Sequence, residues 1–371
     1  MARRDRPTAA GRAAANTGAV TEAGFPTVRV VTGAAFELIA ELAAFTSGPA
    51  RGSLESGKTW IREVRALAGV ELIGRVERYG FGFFVELATI ALEAGEPRGV
   101  DELLRAIDSM DPAAFQGRLL GADSAMTRSM VSDRAFERAL AGDRTARTEL
   151  RTVAGPQRAA RQAFDRVLDA DPDELRAEVR AIVADWGRRV SIHLAPLSLG
   201  AIGRDATARE EQLARGSSRD VLADATRGVT YDPPPWIHAI VIVPTVALRP
   251  YIVPVELRET VLFVCSVADD AFEADPSAPP HRLVKVAAAL GDERRLRILR
   301  LLRQEPLTAS EVADRMGVDR TSLHHHLGIL RSAGLLAIRD EGVGGWRYAL
   351  REDGLTQVGP ELDAYLRSTS G

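Results

Sequence analysis

Cysteine is almost absent from this chain: Cys265 is the single one among 371 residues. No disulfide can form within the chain, and a reducing compartment suits such a composition. We therefore expect a cytoplasmic protein. Cys265 itself lies in the apolar run LFVCSV, which predicts a buried and unreactive thiol.

Long apolar runs are also missing. No stretch approaches the roughly 18 residues that a membrane-spanning helix needs, so we expect no membrane association. The first residues, MARRDRPTAAGRAAANTGAV, contain arginines but no apolar segment, so a secretory signal is not expected. Their richness in Ala, Gly and Thr predicts a disordered tail over residues 1–27.

An excess of positive charge is missing from the chain as a whole, whose net charge is −3. The charge is nevertheless unevenly distributed. Residues 281–351 contain 13 Lys/Arg and 8 Asp/Glu, a net charge of +5, which leaves −8 for the remainder. A basic module attached to an acidic body is typical of a protein that meets phosphate groups at one end only.

Catalytic motifs are missing as well. The sequence contains no nucleophile–His–acid motif, no HExxH and no cluster of metal ligands. We therefore expect a protein that is not an enzyme and that needs no cofactor or metal.

The sequence does contain clear signals of secondary structure. Residues 34–45 place apolar side chains at helical spacing, and Asp111-Pro112 and Asp171-Pro172 each predict the start of a helix. A Val- and Ile-rich segment at 236–267 predicts two or three strands, described here as a β-hairpin region, and its prolines favour edge strands. The fold class is therefore mainly α (α+β), with a helical regulatory or ligand-binding domain at 28–278.

The residues from 279 to 371 predict a winged helix-turn-helix. Asp292 can cap a helix, and Thr308-Ala309-Ser310-Glu311 is a capping box for a second one. Gly317 can turn the chain at positive φ, and Asp319 can cap a third helix. Two short strands, 335–339 and 346–350, follow with a Gly-rich turn between them, which is the order of a wing.

The third helix should present its outward face to the DNA major groove. That face begins with Arg320, Thr321 and Ser322 and continues with His324 and His325. Arg339 and Arg347, on the two strands of the wing, are expected to contact phosphate or the minor groove.

These segments, LGDERRLRILRLL followed by SEVADRMGVDRTSLHHHLGILRSAGLL and a wing, resemble the ArsR/SmtB family of bacterial repressors. The resemblance covers some 65 residues. It implies a homodimer that binds an inverted repeat in double-stranded DNA and releases it when an inducer binds. It also implies that helices near 282–290 and 355–366 build the dimer. Metal-sensing members carry cysteines in the helix that corresponds to SEVADRMG; this helix has none, so metal sensing there is not expected.

Residues 52–59, GSLESGKT, fit the phosphate-loop pattern GxxxxGK[ST] with Lys58 as its lysine. Such a loop works only between a buried strand and a helix. The preceding ELIAELAAFTSGPAR is helical in pattern, so a surface loop leading into a helix is the favoured interpretation.

Four aromatic side chains could line an apolar pocket in the helical domain: Trp60, Phe84, Trp186 and Trp236. Core packing alone would also explain them. The pocket hypothesis gives the large domain a role, because it could bind an apolar small-molecule inducer.

The sequence thus predicts a dimeric, DNA-binding transcriptional regulator, more specifically a repressor that senses a small molecule. One alternative is a regulator controlled by a protein partner. A weaker alternative is a nucleotide-binding protein that uses Lys58.

Overall fold

The computed structural model describes residues 24–47, 54–155, 158–272, 279–340 and 346–367, and only the backbone of Arg320, Thr321 and Asp340. The fold is α+β and mainly helical. Its helices are α1 (Ala34–Thr46), α2 (Gly57–Val76), α3 (Phe81–Glu93), α4 (Val100–Ser109), α5 (Pro112–Leu119), α6 (Ala125–Met130), α7 (Asp133–Leu140), α8 (Arg144–Leu150), α9 (Arg158–Asp169), α10 (Pro172–Trp186), α11 (Ile192–Arg215), α12 (Ser218–Ala225), α13 (His281–Leu290), α14 (Glu293–Gln304), α15 (Ala309–Met316), α16 (Arg320–Ser332), α17 (Glu352–Thr356) and α18 (Val358–Arg367). Its strands are β1 (Thr27–Val30), β2 (Val229–Thr230), β3 (Ala239–Thr245), β4 (Val253–Leu257), β5 (Thr260–Ser266), β6 (Leu307–Thr308), β7 (Leu336–Asp340) and β8 (Trp346–Leu350).

The first sheet has the strand order β1-β3-β5-β4. β1, β3 and β5 are parallel, and β4 is antiparallel to β5. One face packs against the core of the helical body, and the other packs against α12. Burial on both faces explains why β3 and β5 are continuous runs of apolar residues rather than alternating ones. Cys265 in β5 is fully buried, as expected, and burial raises the pKa of its thiol to about 12.

The β-hairpin expected at 236–267 is only part of this sheet. β4 and β5 do form an antiparallel pair, but β3 runs parallel to β5 and also to β1, a strand that the sequence pattern does not predict. Pro254 lies on the edge strand β4, as predicted, whereas Pro244 lies on the central strand β3. Pro244 is tolerated because its missing N–H would point to the β1 side of β3 rather than to β5. The pairing of β1 with β3 ends at Ile242, so β1 offers no partner at that position.

The helical body is built around α1, every residue of which from 35 to 45 is buried. α3, α4 and α11 pack around it. The predicted helix starts are confirmed: Asp111 accepts a hydrogen bond from the backbone N–H of Ala114, and Asp171 accepts from those of Asp173 and Glu174. Among the described residues, no helix is long and apolar enough to cross a membrane.

The winged helix-turn-helix follows the predicted order. Asp292, Thr308 and Asp319 cap α14, α15 and α16, and Thr308 forms the capping box with Glu311. Gly317 ends α15 with φ 63°, the left-handed conformation that favours glycine. The predicted strands are β7 and β8, which pair in antiparallel fashion. The turn between them, 341–345, lies outside the described residues.

Two features of the structure concern the predicted domain limits: where the folded part begins, and a strand pairing across the boundary between the two domains. Phe25 is buried and Thr27 begins β1, so the folded part starts before the expected boundary at residue 27. The tail itself, as far as residue 23, lies outside the described residues. In addition, β2 of the helical body pairs in parallel with β7, which gives the second sheet the order β2-β7-β8-β6. The wing sheet therefore includes a strand from the body.

Candidate nucleic-acid interface

The helix-turn-helix is formed by α15 and α16. Ala313 of α15 and Leu323 of α16 are both buried in the core of this unit, with Gly317 between them. Leu327 and Leu330 extend the buried side of α16 along its length. Because one side of α16 is anchored in this way, the opposite side faces solvent.

The solvent side of α16 contains two of the residues predicted to meet DNA. His324 and His325 are exposed. Ser322 is half-buried, and its hydroxyl donates a 2.6 Å hydrogen bond to the carboxylate of Asp319, so it helps to cap the helix. Arg320 and Thr321 begin the helix, but their side chains lie outside the described residues.

The three consecutive histidines point in different directions, as consecutive residues of a helix do. His326 is buried, and burial lowers the pKa of its imidazole, which favours the neutral ring at pH 7. In the part of the chain that the structure describes, no three His, Cys, Asp or Glu side chains are grouped as a metal ion would require.

The two arginines of the wing have different surroundings. Arg339 of β7 is exposed. Arg347 of β8 is half-buried; it donates a hydrogen bond to the carbonyl of Pro306 at 3.1 Å and lies 3.4 Å from the carboxylate of Glu311. Arg347 therefore holds the wing against the start of α15, while Arg339 is presented to solvent.

A cluster of five charged side chains joins the winged helix-turn-helix to the helical body. We call it the junction cluster; its members are Glu55, Arg227, Arg249, Asp269 and Lys285. Asp269 is at its centre: its carboxylate lies 2.6 Å from the ammonium group of Lys285 in α13 and also contacts Arg227 and Arg249. Burial acts to raise the pKa of Asp269, but the three cations outweigh it and hold the pKa at about 2.

The junction cluster also contacts the end of α16. Arg227 donates a 2.9 Å hydrogen bond to the carbonyl of Ser332, the last residue of that helix. Arg331, one residue earlier, is half-buried at this contact, and its Nε has no hydrogen-bond partner among the described residues. Burial lowers the pKa of Arg331 to about 10. The C-terminal end of α16, the helix predicted to face DNA, therefore contacts the helical body.

The four aromatic residues proposed as a pocket lie in different surroundings. Phe84 and Trp186 are fully buried in the core of the body, and Trp60 packs against the same core. Trp236 is 51% exposed, in the loop before β3. Core packing thus describes the first three, because their rings fill the space between helices that share one apolar core. None of the four lines the cavity of about 380 Å³ that lies beside α1 in this body.

The phosphate-loop pattern lacks the surroundings that it needs. Gly52 and Ser53 lie outside the described residues. The element before the pattern is the helix α1 rather than a strand, and Lys58 lies exposed in the first turn of α2. Glu55 pairs with Arg249 and Lys285, so this segment contributes to the junction cluster.

Sequence reasoning missed two buried carboxylic acids. Glu37 and Glu41 lie one turn apart in α1, and both are buried. Their signal was present: the other residues of AAFELIAELAAF are apolar around the whole circumference, which indicates a helix enclosed on every side. Acidic residues in such a helix must be buried too, whichever face they occupy.

Comparison with known proteins supports the assignment of the C-terminal unit. A family described as a helix-turn-helix domain matches residues 290–339, which include α14, α15, α16 and most of β7. No curated protein and no solved structure matches the chain. The matched segment and the exposed face of α16 together support a DNA-binding regulator.

Proposed function

We propose that the protein is a dimeric transcriptional repressor that binds double-stranded DNA at an inverted repeat through α16, and that its helical body responds to a small molecule. The observation that carries this proposal is the helix-turn-helix of α15 and α16, which lies within the matched segment and has one side of α16 exposed. The net charge of +5 over residues 281–351 favours the approach of this unit to DNA.

Contacts between the body and the winged helix-turn-helix support a regulatory role for the body. Strand β2 pairs with β7, and the junction cluster contacts both α13 and the end of α16. A displacement within the body would therefore reach the DNA-facing helix through direct contacts. We place Arg320, Thr321, His324 and His325 at base edges or phosphates, and Arg339 at the backbone beside the wing.

The alanine variant of Arg320 tests the groove assignment. Because Arg320 begins α16, we expect it to reach a base edge, and its loss should weaken specific binding by about 1–3 kcal/mol if the contact is bidentate. The measurement is an electrophoretic mobility shift with the DNA upstream of the chain's own gene, repeated with unrelated DNA. Arg128→Ala, an exposed arginine on α6 of the body, is the matched control and should bind like the parent. Equal affinity of the Arg320 variant and the parent for upstream DNA would rule out this placement of α16.

The expected dimer has a surface of its own. α13 packs against α18, and Arg282 forms an ion pair with Glu361 across this contact. Apolar side chains are nevertheless left exposed on the same pair of helices: Val284 is 49% exposed, Leu362 44% and Leu366 71%. These helices correspond to the two that the resemblance assigns to dimerisation, so we propose that a second copy of the chain covers them.

Replacing Leu362 by aspartate should weaken this dimer. A charge within an apolar interface costs about 2 kcal/mol or more, so the dissociation constant should rise by at least about tenfold. Sedimentation equilibrium measures it directly. Leu197→Asp, which changes an exposed leucine on α11, should leave the constant unchanged. A parent chain that sediments as a monomer at all concentrations would refute the dimer.

A further inference from the structure

The helical body contains a cavity of about 380 Å³ beside α1. This volume lies within the usual range of small-molecule sites. Its walls are formed by α1, α4, the end of α10, the first turns of α11 and the segment that joins α10 to α11. The lining residues that supply apolar surface are Leu38, Val100, Leu104, Ala184, Ile192, Ala195 and Leu199.

The polar end of the cavity is formed by Glu37 and Glu41. Glu41 is 1% exposed, and its Oε2 accepts two hydrogen bonds, from the indole N–H of Trp186 at 2.9 Å and from the hydroxyl of Ser191 at 2.5 Å. Its other oxygen, Oε1, is buried and has no hydrogen-bond partner among the described residues. A buried oxygen without a donor is costly, so this atom is ready to accept a hydrogen bond from a ligand.

Glu37 adds a second carboxylate at the same place but is already bonded. Its two oxygens accept from the backbone N–H groups of Val246 and Ala247, at 2.9 and 3.1 Å. Burial and the neighbouring Glu41 raise the pKa of Glu37 to about 8, and burial raises that of Glu41 to about 7. Within the described residues, no lysine or arginine is among the main causes of either shift, so no neighbouring cation offsets the burial of this pair there.

The wall opposite α1 has an unusual backbone. Residues 187–191 form a π-helix. This conformation is rare in proteins as a whole, but where it occurs it is often at a functional site. This turn places the Ser191 hydroxyl on Glu41 and brings Gly187 to the cavity. A Cβ at Gly187 would lie 3.2 Å from the side chain of Val100 and 3.4 Å from that of Leu38. A larger residue here would therefore press against two other residues that line the cavity. Arg188, on the same turn, lines the cavity but pairs with Asp185 and points outward, where its side chain is 71% exposed.

We propose that this cavity binds an organic ammonium ion with an apolar body, whose N–H donates to Oε1 of Glu41. The ammonium group supplies the missing donor and the missing positive charge together, and the apolar body covers the leucine, valine and isoleucine side chains of the walls. A neutral alcohol would supply the donor alone, and a carboxylate would supply neither the donor nor the positive charge. This inference rests on the proposed function for one point, that the bound ion is the effector of the repressor.

A chain of contacts leads from the cavity to the winged helix-turn-helix. Glu37 holds the backbone at Val246 and Ala247, and that segment continues to Arg249 of the junction cluster. Arg249 and Lys285 both contact Asp269, and Lys285 belongs to α13. An ion that changes the position or the charge of Glu37 therefore acts on the segment that holds the junction.

The test uses the full chain and three probes that share one carbon skeleton: 3-phenylpropylamine, 3-phenylpropan-1-ol and 3-phenylpropionate. Isothermal titration calorimetry should detect binding of the amine and at least about tenfold weaker binding of the other two, as expected for loss of a charge-assisted hydrogen bond. Glu41→Gln should lose about 10- to 100-fold of the amine affinity, whereas Glu63→Gln, an exposed acid on α2, should not. Ala195→Phe, which fills the cavity, should abolish binding without touching either acid.

Equal binding of all three probes, or unchanged amine affinity in Glu41→Gln or Ala195→Phe, would overturn the inference. Circular dichroism of each variant establishes that it is folded before its affinity is compared. A mobility shift with and without the amine then separates the two proposals. A DNA shift without amine binding would support the repressor and refute the amine site. Amine binding without a DNA shift would support the amine site and refute the repressor.

Discussion

Replacing Asp269 by alanine should lower the free energy of unfolding by about 3–5 kcal/mol, the usual effect of removing one partner from a buried ion pair. Asp269 is the shared partner of Arg227, Arg249 and Lys285, and its side chain is 19% exposed. Without it, three cations lie together with Glu55 as their remaining carboxylate in the cluster. Urea unfolding followed by circular dichroism gives the free energy.

The adjacent residue provides the control. Asp270 is exposed, and its replacement by alanine should change the free energy of unfolding by less than about 0.5 kcal/mol. Asp269→Asn keeps the shape of the side chain and removes its charge, so it separates the electrostatic contribution from packing. If Asp269→Ala and Asp270→Ala unfold at the same urea concentration, the junction cluster does not hold the two parts together.

The junction cluster also determines how DNA binding should respond to this variant. Lys285 belongs to α13, and Arg227 donates a hydrogen bond to the last carbonyl of α16, so loosening the cluster removes contacts that support both helices. The core of the winged helix-turn-helix is separate from the core of the body. DNA binding that survives Asp269→Ala but no longer responds to an effector would identify the cluster as the route of regulation.

The sequence predicts the winged helix-turn-helix well because its signals are local. Asp292, Thr308 and Asp319 each cap the helix that follows within three residues, and Gly317 turns the chain by its own conformational freedom. These signals act between neighbours along the chain, so no knowledge of the rest of the fold is needed to read them.

The sheet of the body could not be predicted in the same way. β1 pairs with β3, and Thr27 at its start bonds to the carbonyl of His238, 211 residues further along the chain. The four residues of β1 have mixed polarity and carry no sign of this distant partner. The pairing of β2 with β7 is two residues long and crosses the predicted domain boundary. The candidate cavity could not be predicted from the aromatic residues, because it is lined by aliphatic side chains, three acids, Arg188 and Ser191.

The stability of the protein should fall as the pH rises from 5 to 8.5, and Glu41 should account for a large part of that fall. Burial raises the pKa of Glu41 from the ordinary 4.5 to about 7. The folded state therefore keeps a proton that the unfolded state has lost between these values, and stability decreases with pH across that interval. With about 1.4 kcal/mol for each pH unit, the decrease is on the order of 3 kcal/mol.

Other groups contribute to the pH profile, so the measurement compares two chains. Glu37 and Glu86 also have raised pKa values, and Glu37, Asp101 and Arg188 line the cavity with Glu41. Glu41→Gln cannot ionise and keeps all of these groups, although it removes the part of the raised pKa of Glu37 that Glu41 causes, which changes the profile in the same direction. Its stability relative to the parent should therefore improve by about 3 kcal/mol between pH 5 and pH 8.5, as measured by urea unfolding at each pH. A constant difference between the two chains would mean that Glu41 is ionised in the folded protein throughout, and that a cation already accompanies it.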